Sequence, residues 1–393
     1  MRITDHTFNR LQVLKAIRRG PVSRIELPAL TGLSGGTITQ LTSDLIRRGL
    51  VIERKGATNR TGGRPRSYLE LNAEGTVVVG VSLTGERVLT TAFVNLTGNK
   101  IFAKDYTLKA PRSLRELALE VAEALEEAIE DFPFARSKIG RIGIALPAVI
   151  DSVHGIIHSM TTFRTPPFAF AEVIQDRLKL PVTLENDMNC LARAEHWFGS
   201  ARALDDFTLV NVDLAIGSAQ YANGLPKPTR NGFNQELGHA KNAFGAYARP
   251  CMCGGTGCLM MYSSIYGIVQ HSGLLKRSAF PDVAHLVMKF NRLLNTAETG
   301  DKKAVRLFED AGFHLGLVIA NHVNADDPGN VLILVRDRRF RDLISGSLFS
   351  TIRKYSLPVI LRCTKIDFDI ANTDWRWRGT AALALEKTYL EGS

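Results

Sequence analysis

The chain has 393 residues, 45% of them hydrophobic and 22% charged, the balance of a globular protein long enough for two or three domains. No apolar segment follows a basic cluster near the start, and nowhere do about 18 uncharged apolar residues run together, so we expect neither a signal peptide nor a membrane span and predict a cytoplasmic protein. Of the formal net charge of +10, residues 1–72 carry +8, from 13 Lys and Arg against 5 Asp and Glu. A basic module on a near-neutral body predicts that the module binds a polyanion, with nucleic acid as the leading partner.

The first part of this module has the pattern of two helices. Apolar residues spaced three apart between Phe8 and Ile17 predict a first helix with one buried stripe. Ser23 and Glu26 have capping-box spacing for a short second helix. Pro28 would remove a backbone hydrogen bond there, so we expect this second helix to be bent or partly 3₁₀.

A third helix is predicted from Ser34, with Ile38, Leu41 and Leu45 on its buried face. Its position after a short helix and a tight turn is typical of the recognition helix of a helix-turn-helix, which reads base edges in the major groove. The residues expected to contact DNA from this helix are Ser34, Thr37, Thr39, Gln40 and Arg47. Among them we expect Thr37 and Gln40 to contribute most to base choice.

A winged extension is predicted after the third helix, with strands at Leu50–Arg54 and Ser67–Leu71 on either side of a basic, glycine-rich hairpin. The cations expected to neutralise phosphates or enter the minor groove are Arg54, Lys55, Arg60, Arg64 and Arg66. The alternative is a solvated charged loop on a winged helix that binds protein. The capped helices, the turn and the basic wing occur together here, which favours double-stranded DNA as the partner of this module.

The rest of the chain is predicted to be an α/β body in two halves. After a short connection at residues 73–76, a three-stranded meander, a long helix and further strands and helices form a first lobe, 73–185. A second lobe, 186–393, repeats the pattern with a β pair, helices around 303–324 and a strand "NVLILV". Two such halves predict a bilobal body with a ligand-binding cleft.

Three of the five cysteines lie within the sequence "CMCGGTGC". This stretch is open to interpretation as a metal site, a disulfide knot or a loop of small residues, but a reducing compartment disfavours the disulfide. His239, Cys251, Cys253 and Cys258 give the spacing H-x11-C-x-C-x4-C, a Cys₃His set suited to tetrahedral zinc. With four protein ligands and no open position for water, the zinc is expected to be structural.

The whole chain resembles the ROK family of repressors, open reading frames and kinases, and within it the winged-helix regulators of sugar metabolism. The resemblance rests on "GLSGGTITQLTSDLIRRGLV", "TGGRPR", "ENDMN", "ARAEHWFGSAR", "ELGH", "CMCGGTGCL" and "GTAALAL". It implies an actin-like sugar-kinase fold for residues 73–393 and a sugar or sugar derivative as effector. The residues that match the family's sugar contacts are Asn186, Asp187, Glu236 and His239.

The chain departs from the family's kinases at the nucleotide positions. The first phosphate turn, roughly G-x-D-x-G-G-T in the family, is "GVSLTGE" here, with Ser82 in place of the Asp. The second, roughly G-T-G-x-G, is "DLAIG" and begins with Asp213. A glycine pair expected after "NVLIL" is replaced by Val335 and Arg336. Bare backbone amides hold phosphates in such turns, so these changes predict a protein that is not an enzyme.

The sugar side also departs from the family pattern. Ala148 replaces a glycine, the loop "TTFRTPPF" lacks the usual asparagine, and Met260 stands where a sugar-binding glutamate is usual. We therefore expect an altered or larger carbohydrate. An alternative for Asn186 and Asp187 is that they only cap the following helix.

Regulation is expected to follow from ligand-dependent closure of the lobes in a homodimer or dimer of dimers on a palindromic operator. Two alternatives stay open: a ligand-independent DNA-binding protein whose body only dimerises, and an active ATP-dependent sugar kinase.

Overall fold

The computed structural model describes residues 5–55, 66–84, 87–160, 162–163, 166–227, 229–230, 232–275, 282–372 and 374–391. The chain forms two compact units, Met1–Cys190 with Arg376–Ser393, and Leu191–Trp375. Within the described ranges, no helix combines the length and apolarity needed to cross a bilayer.

The amino-terminal elements are a winged helix-turn-helix, as predicted. They are α1 (Asp5–Arg18), α2 (Leu27–Thr31), α3 (Gly35–Arg47), β1 (Val51–Lys55) and β2 (Ser67–Leu71). The wing strands are antiparallel, with Val51 opposite Leu71 and Lys55 opposite Ser67. Burial of Ile38, Leu41 and Leu45 on α3 confirms its predicted inner face.

The start of α2 differs from the prediction. Glu26 accepts hydrogen bonds from the backbone N–H and the hydroxyl of Ser23, at 2.9 and 2.8 Å, so half of the predicted capping box forms. The helix itself begins only at Leu27, which puts Pro28 in its first turn. A first-turn residue needs no backbone N–H donor, so the expected distortion at Pro28 is wrong.

The first unit continues with a mixed five-stranded sheet. Its elements are β3 (Val77–Thr84), β4 (Val88–Asn95), β5 (Lys100–Thr107), α4 (Leu114–Glu130), β6 (Ile139–Leu146), β7 (Ala148–Asp151), β8 (Ile156–Met160), α5 (Phe170–Leu178) and β9 (Val182–Asn186). The strand order is β5-β4-β3-β6-β9, and β7 and β8 form a separate hairpin. Strands β6 and β7 are separated at Pro147, which has no N–H for a sheet ladder. Helices α4 and α5 share one apolar core with the sheet.

A second five-stranded sheet organises the second unit. Helix α6 (Asp187–Phe198) leads into it, and its elements are β10 (Phe207–Val212), β11 (Ile216–Ala222), β12 (Leu225–Pro226), α7 (Met260–Ser263), α8 (Ile265–His271), α9 (Val283–Glu298), α10 (Lys302–Asp326), β13 (Asn330–Val335), α11 (Arg338–Tyr355), α12 (Pro358–Leu361) and β14 (Lys365–Ile370). The order is β12-β11-β10-β13-β14, with β10 parallel to β13. Phe290, Phe308 and Phe340 pack edge to face in its helical core.

The carboxyl-terminal helix α13 (Trp375–Glu391) packs in the first unit. A Cβ added at Gly80 of β3 would lie 2.7 Å from the Trp377 carbonyl, and one at Gly143 of β6 would lie 2.3 Å from that of Thr380. Glycine at both positions lets the helix lie directly on the sheet. The predicted lobe 186–393 differs from this division because the contacts of α13 are non-local, and because the chain leaves the first unit within α6, after Cys190.

Candidate functional sites

The exposed face of α3 is the first candidate site. Ser34 caps the helix by accepting the Thr37 backbone N–H at 3.2 Å, and their hydroxyls lie 2.9 Å apart. The Thr39 hydroxyl donates to the Gly35 carbonyl at 2.9 Å. Gln40 and Arg47 are exposed. The helix therefore uses Ser34 for its own cap and leaves Gln40 free to reach a ligand along the same face.

The wing places its described cations at the edge of this module. Arg54 and Lys55 end β1 and Arg66 precedes β2, and all three are exposed. Arg54 lies 3.2 Å from Glu70 on the opposing strand, an exposed pair that contributes little to stability. The remaining predicted wing cations, Arg60 and Arg64, lie outside the described residues.

The four predicted metal ligands converge. Their donor atoms all lie within 4.8 Å of one another. The Cys253 and Cys258 sulfurs are 3.7 Å apart, and the Cys251 sulfur is 3.8 Å from His239 Nδ1. A tetrahedron with Zn–S bonds of about 2.3 Å has edges of about 3.8 Å, so the arrangement fits a single ion.

The fold holds these ligands through one 3₁₀ turn and one loop. Leu237–His239 forms the turn, with the His239 N–H bonded to the Glu236 carbonyl at 3.0 Å. Gly257 has φ +73°, and a Cβ there would lie 2.0 Å from the Ala243 carbonyl. Glycine is therefore required for the loop to close on the turn.

Lys241 is a neighbour of the cluster that sequence reasoning missed. Its ammonium lies 2.8 Å from the Cys258 sulfur, and this hydrogen bond raises the pKa of Lys241. Burial raises the pKa of Cys251 to about 12 in the metal-free chain. Three thiolates around Zn²⁺ leave one net negative charge, which an ammonium at this distance offsets. A lysine two residues after the ligand His239 was the available sequence signal.

The predicted sugar contacts lie at the junction of β9 with α6 and at the 3₁₀ turn Leu237–His239 with the preceding Glu236. The Asn186 side chain accepts the Met188 N–H at 2.8 Å and donates to the Ala148 carbonyl at 3.0 Å, so it caps α6. Asp187 also accepts the Met188 N–H, at 3.1 Å. The exposed Glu236 accepts a hydrogen bond from Asn234 at 3.0 Å. The capping alternative thus describes Asn186, whereas the Glu236 carboxylate faces solvent.

Two residues that differ from the family's sugar pocket are part of the apolar core. Ala148 and Met260 are 7% and 5% exposed. Met260 opens α7 and packs in the core of the second unit. A buried methionine at this position supplies no hydrogen bond to a polar ligand.

The nucleotide positions contain an ion pair. In the register of β10 and β13, Val212 lies opposite Val335, so the next residues, Asp213 and Arg336, emerge side by side. Arg336 Nε and Nη2 donate to the two Asp213 carboxylate oxygens at 2.6 and 3.1 Å. In the first turn, the buried Ser82 hydroxyl has no hydrogen-bond partner among the described residues. The carboxylate that begins the β10–β11 turn thus pairs with an arginine at the end of β13, where a kinase would need free amides for phosphate.

A winged helix-turn-helix, two α/β units and a Cys₃His cluster define a class in which a helix-turn-helix module is attached to a sugar-kinase-like body. The ROK family model matches residues 79–335, and the chain belongs to the ROK family. The predicted family and fold class are confirmed.

Relatives span most of the chain. It is 28% identical over 315 residues to the DNA-binding transcriptional dual regulator NagC of Escherichia coli (strain K12), covering 80% of this chain and 76% of that protein. It is 26% identical over 372 residues to the DNA-binding transcriptional repressor Mlc of the same strain, covering 92% and 88%. The xylose repressor of Bacillus subtilis (strain 168) is 26% identical over 345 residues, covering 85% and 84%.

Solved structures agree with this assignment. A ROK family transcriptional regulator, a homolog of the E. coli Mlc protein, superposes with a TM-score of 0.79 at 25% identity, covering 98% of this chain and 97% of that one. The ROK hexokinase from Thermus thermophilus matches with a TM-score of 0.62 at 21% identity, covering 79% and 98%. The family fold therefore occurs both in regulators and in sugar kinases.

Proposed function

We propose that this protein is a DNA-binding transcriptional repressor of carbohydrate metabolism genes that responds to a sugar or sugar derivative and does not phosphorylate it. The observation that carries the proposal is the exposed face of α3 in a module with a basic wing, in a chain that aligns over most of its length with a xylose repressor. Helix α3 enters the major groove, and the wing cations contact phosphates.

The operator is palindromic and binds a homodimer or a dimer of dimers. One recognition helix reads one half-site, so two-fold symmetry in the protein requires two-fold symmetry in the DNA. Gln40 and Thr37 contact bases, whereas Lys55 and Arg66 supply sequence-independent attraction.

The absence of kinase activity is supported by the pairing of Asp213 with Arg336. A phosphate bound by the β10–β11 turn would meet the Asp213 carboxylate, and binding would first require that the pair be broken. Separating a bidentate arginine–carboxylate pair is costly, because both charges must find new partners.

The effector contacts carried over from the family resemblance are Asn186 and Asp187 in the first unit and Glu236 and His239 in the second. Because Asn186 is used as a cap and Met260 is buried, fewer polar groups are available than in a simple hexose pocket, which supports an altered or larger carbohydrate. The same observations support the second candidate, a DNA-binding protein that takes no ligand.

The cofactor is a structural zinc ion bound by His239, Cys251, Cys253 and Cys258. The donor distances described above support it, and Lys241 balances the charge of the loaded site. When bound, the ion cross-links the turn after Glu236 to the cysteine loop and so fixes where that turn lies.

A gel shift tests the proposal. The probe is the DNA upstream of the protein's own gene, titrated with a panel of monosaccharides, disaccharides and amino sugars. We expect a retarded complex that one saccharide releases. A complex that no saccharide alters, with no ligand-induced thermal shift, would support the ligand-independent candidate. Formation of any sugar phosphate from ATP, magnesium and the same panel would overturn the assignment as a non-enzyme.

A further inference from the structure

A buried arginine in the first helix joins three separate parts of the chain. Arg10 of α1 is 7% exposed. Its Nη1 donates to the Leu390 carbonyl at 2.7 Å, and its Nη2 lies 3.4 Å from the Asp44 carboxylate. We propose that Arg10 is a positioning residue that fixes the recognition helix α3 to the carboxyl end of α13.

The Asp44 side of this link sits on α3 itself. Asp44 also binds two arginines of its own helix, Arg47 at 2.5 Å and Arg48 at 3.0 Å. Its carboxylate is mostly buried, at 17% exposed, so the Arg10 contact forms where water competes weakly. Asp44 follows Gln40 by one turn of α3 and pairs with Arg47 as well as with Arg10, so the Arg10 contact fixes the rotation of α3 at the edge of its exposed face.

The Leu390 side of the link uses a free helix end. The last carbonyls of an α-helix have no partner within the helix, and a cation there is favoured by the helix dipole. Arginine suits this position because one amino group of its guanidinium donates to the Leu390 carbonyl while the other faces the Asp44 carboxylate in an ion pair. Lysine, a single point charge, would have to choose between the Leu390 carbonyl and Asp44.

The rest of α13 is anchored to the sheet of the first unit. The buried Tyr389 hydroxyl donates to the Leu96 carbonyl at 2.6 Å. At the other end, a Cβ on Gly379 would lie 2.0 Å from the Cys190 carbonyl, so the helix contacts the residue after which the chain leaves this unit. The 17 residues of α13 span about 25 Å at 1.5 Å per residue. One helix thus contacts Cys190 at Gly379 and Arg10 at Leu390.

This inference rests on the proposed function, since α3 must read DNA for its position to matter. The test compares Arg10→Met and Arg10→Lys with the wild-type full-length protein on two duplexes, the DNA upstream of the gene and a scrambled sequence of equal length. Fluorescence anisotropy at several salt concentrations gives the affinity and its salt slope. Arg19→Met, which removes an exposed cation just after the same helix, is the matched control.

We expect Arg10→Met to weaken binding to the upstream duplex about tenfold, because the hydrogen bond to Leu390 and the ion pair with Asp44 that position α3 are both lost. Binding to the scrambled duplex and the salt slope should not change, because a buried guanidinium contacts no phosphate. The affinity of Arg10→Lys for the upstream duplex should lie between those of the wild type and Arg10→Met. In Arg19→Met, any effect should be equal on both duplexes.

A second route removes the acceptor instead of the donor. A chain that ends at Tyr389 lacks the Leu390 carbonyl, and we expect the same selective loss. Combined with Arg10→Met, it should cause no further loss, because both changes break one link. Additive losses, or variants that keep wild-type affinity for the upstream duplex, would overturn the inference. Wild-type protein that does not distinguish the two duplexes would instead count against the proposed function.

Discussion

Asp213 and Arg336 lie 123 positions apart in the sequence and form a two-pronged ion pair, with N–O distances of 2.6 and 3.1 Å. They meet because each directly follows one of two paired parallel strands, at Val212 and Val335. Each residue alone departs from the phosphate-binding pattern of the family's kinases, and together they form an ion pair between the β10–β11 turn and the end of β13.

Breaking this pair should destabilise the second unit. For Arg336→Met we expect a loss of about 1–2 kcal/mol, because the carboxylate left behind is mostly buried while the arginine is partly exposed. Thermal unfolding measures the loss, and Asp213→Asn combined with Arg336→Met should cost less than the separate changes added. Arg341→Met, which removes a pair with the more exposed Asp342 within α11, should be nearly neutral. An equal loss in both arginine variants would contradict a special role for Arg336.

Loss of a cysteine ligand should remove the metal. Cys258→Ser should purify with little zinc, measured by elemental mass spectrometry, and should melt on the order of 10 °C lower, because the loop loses its cross-link. Cys363→Ser, which alters an exposed cysteine outside the cluster, should keep both zinc and stability. Equimolar zinc in purified Cys258→Ser protein would exclude this ligand set.

Mutations in α3 and in the wing should have different effects on DNA binding, because α3 is proposed to contact bases and the wing to contact phosphates. Gln40→Ala should relax base preference at one operator position per half-site, at a cost of about 1–3 kcal/mol on the preferred base. Lys55→Ala should weaken all sequences equally and reduce the salt slope by about 0.9. Competition binding with each base substituted in turn distinguishes the two. Unchanged specificity at every position in Gln40→Ala would refute its assignment to base reading.

Glu195 should make stability fall as pH rises. It is 1% exposed and accepts hydrogen bonds from the Ser200 N–H and hydroxyl, both at 3.0 Å. Burial raises the pKa of Glu195 above its ordinary value of 4.5. Above pH 4.5 the unfolded chain releases this proton first, so the free energy of unfolding decreases until the pH exceeds the folded pKa, and is then constant.

Glu195→Gln should remove this contribution while keeping an acceptor for Ser200. Urea unfolding of both proteins from about pH 4 to pH 8 gives the difference directly. This difference cancels the contributions of other carboxylates, such as Asp44 and Asp337, to the pH dependence of stability. Their pKa values are lowered, so they make the free energy of unfolding rise with pH. Parallel stability curves would show that Glu195 ionises normally.

The elements with local signals could be predicted from the sequence. Helix α3 could be predicted from the apolar spacing of Ile38, Leu41 and Leu45 and from the Ser34 cap, and the meander from its alternating strands. These signals are local because helix and strand periodicity depend on near neighbours. The candidate metal cluster could also be predicted, since Cys251, Cys253 and Cys258 are close in sequence.

Contacts between distant segments were not accessible in the same way. The sequence showed Asp213 and Arg336 as two separate departures from a kinase, and it placed α13 in the second lobe. Strand register joined the first two residues, and close helix–sheet contact at Gly80 and Gly143 placed the helix in the first unit. Likewise Arg10 was one basic residue among many in the sequence, and only the three-dimensional packing of α1, α3 and α13 gave it partners in Asp44 and Leu390. The physical reason is that the spacing of apolar residues in the sequence shows which face of an element is buried. Which residue a side chain contacts across the core depends instead on how elements far apart in the chain pack together.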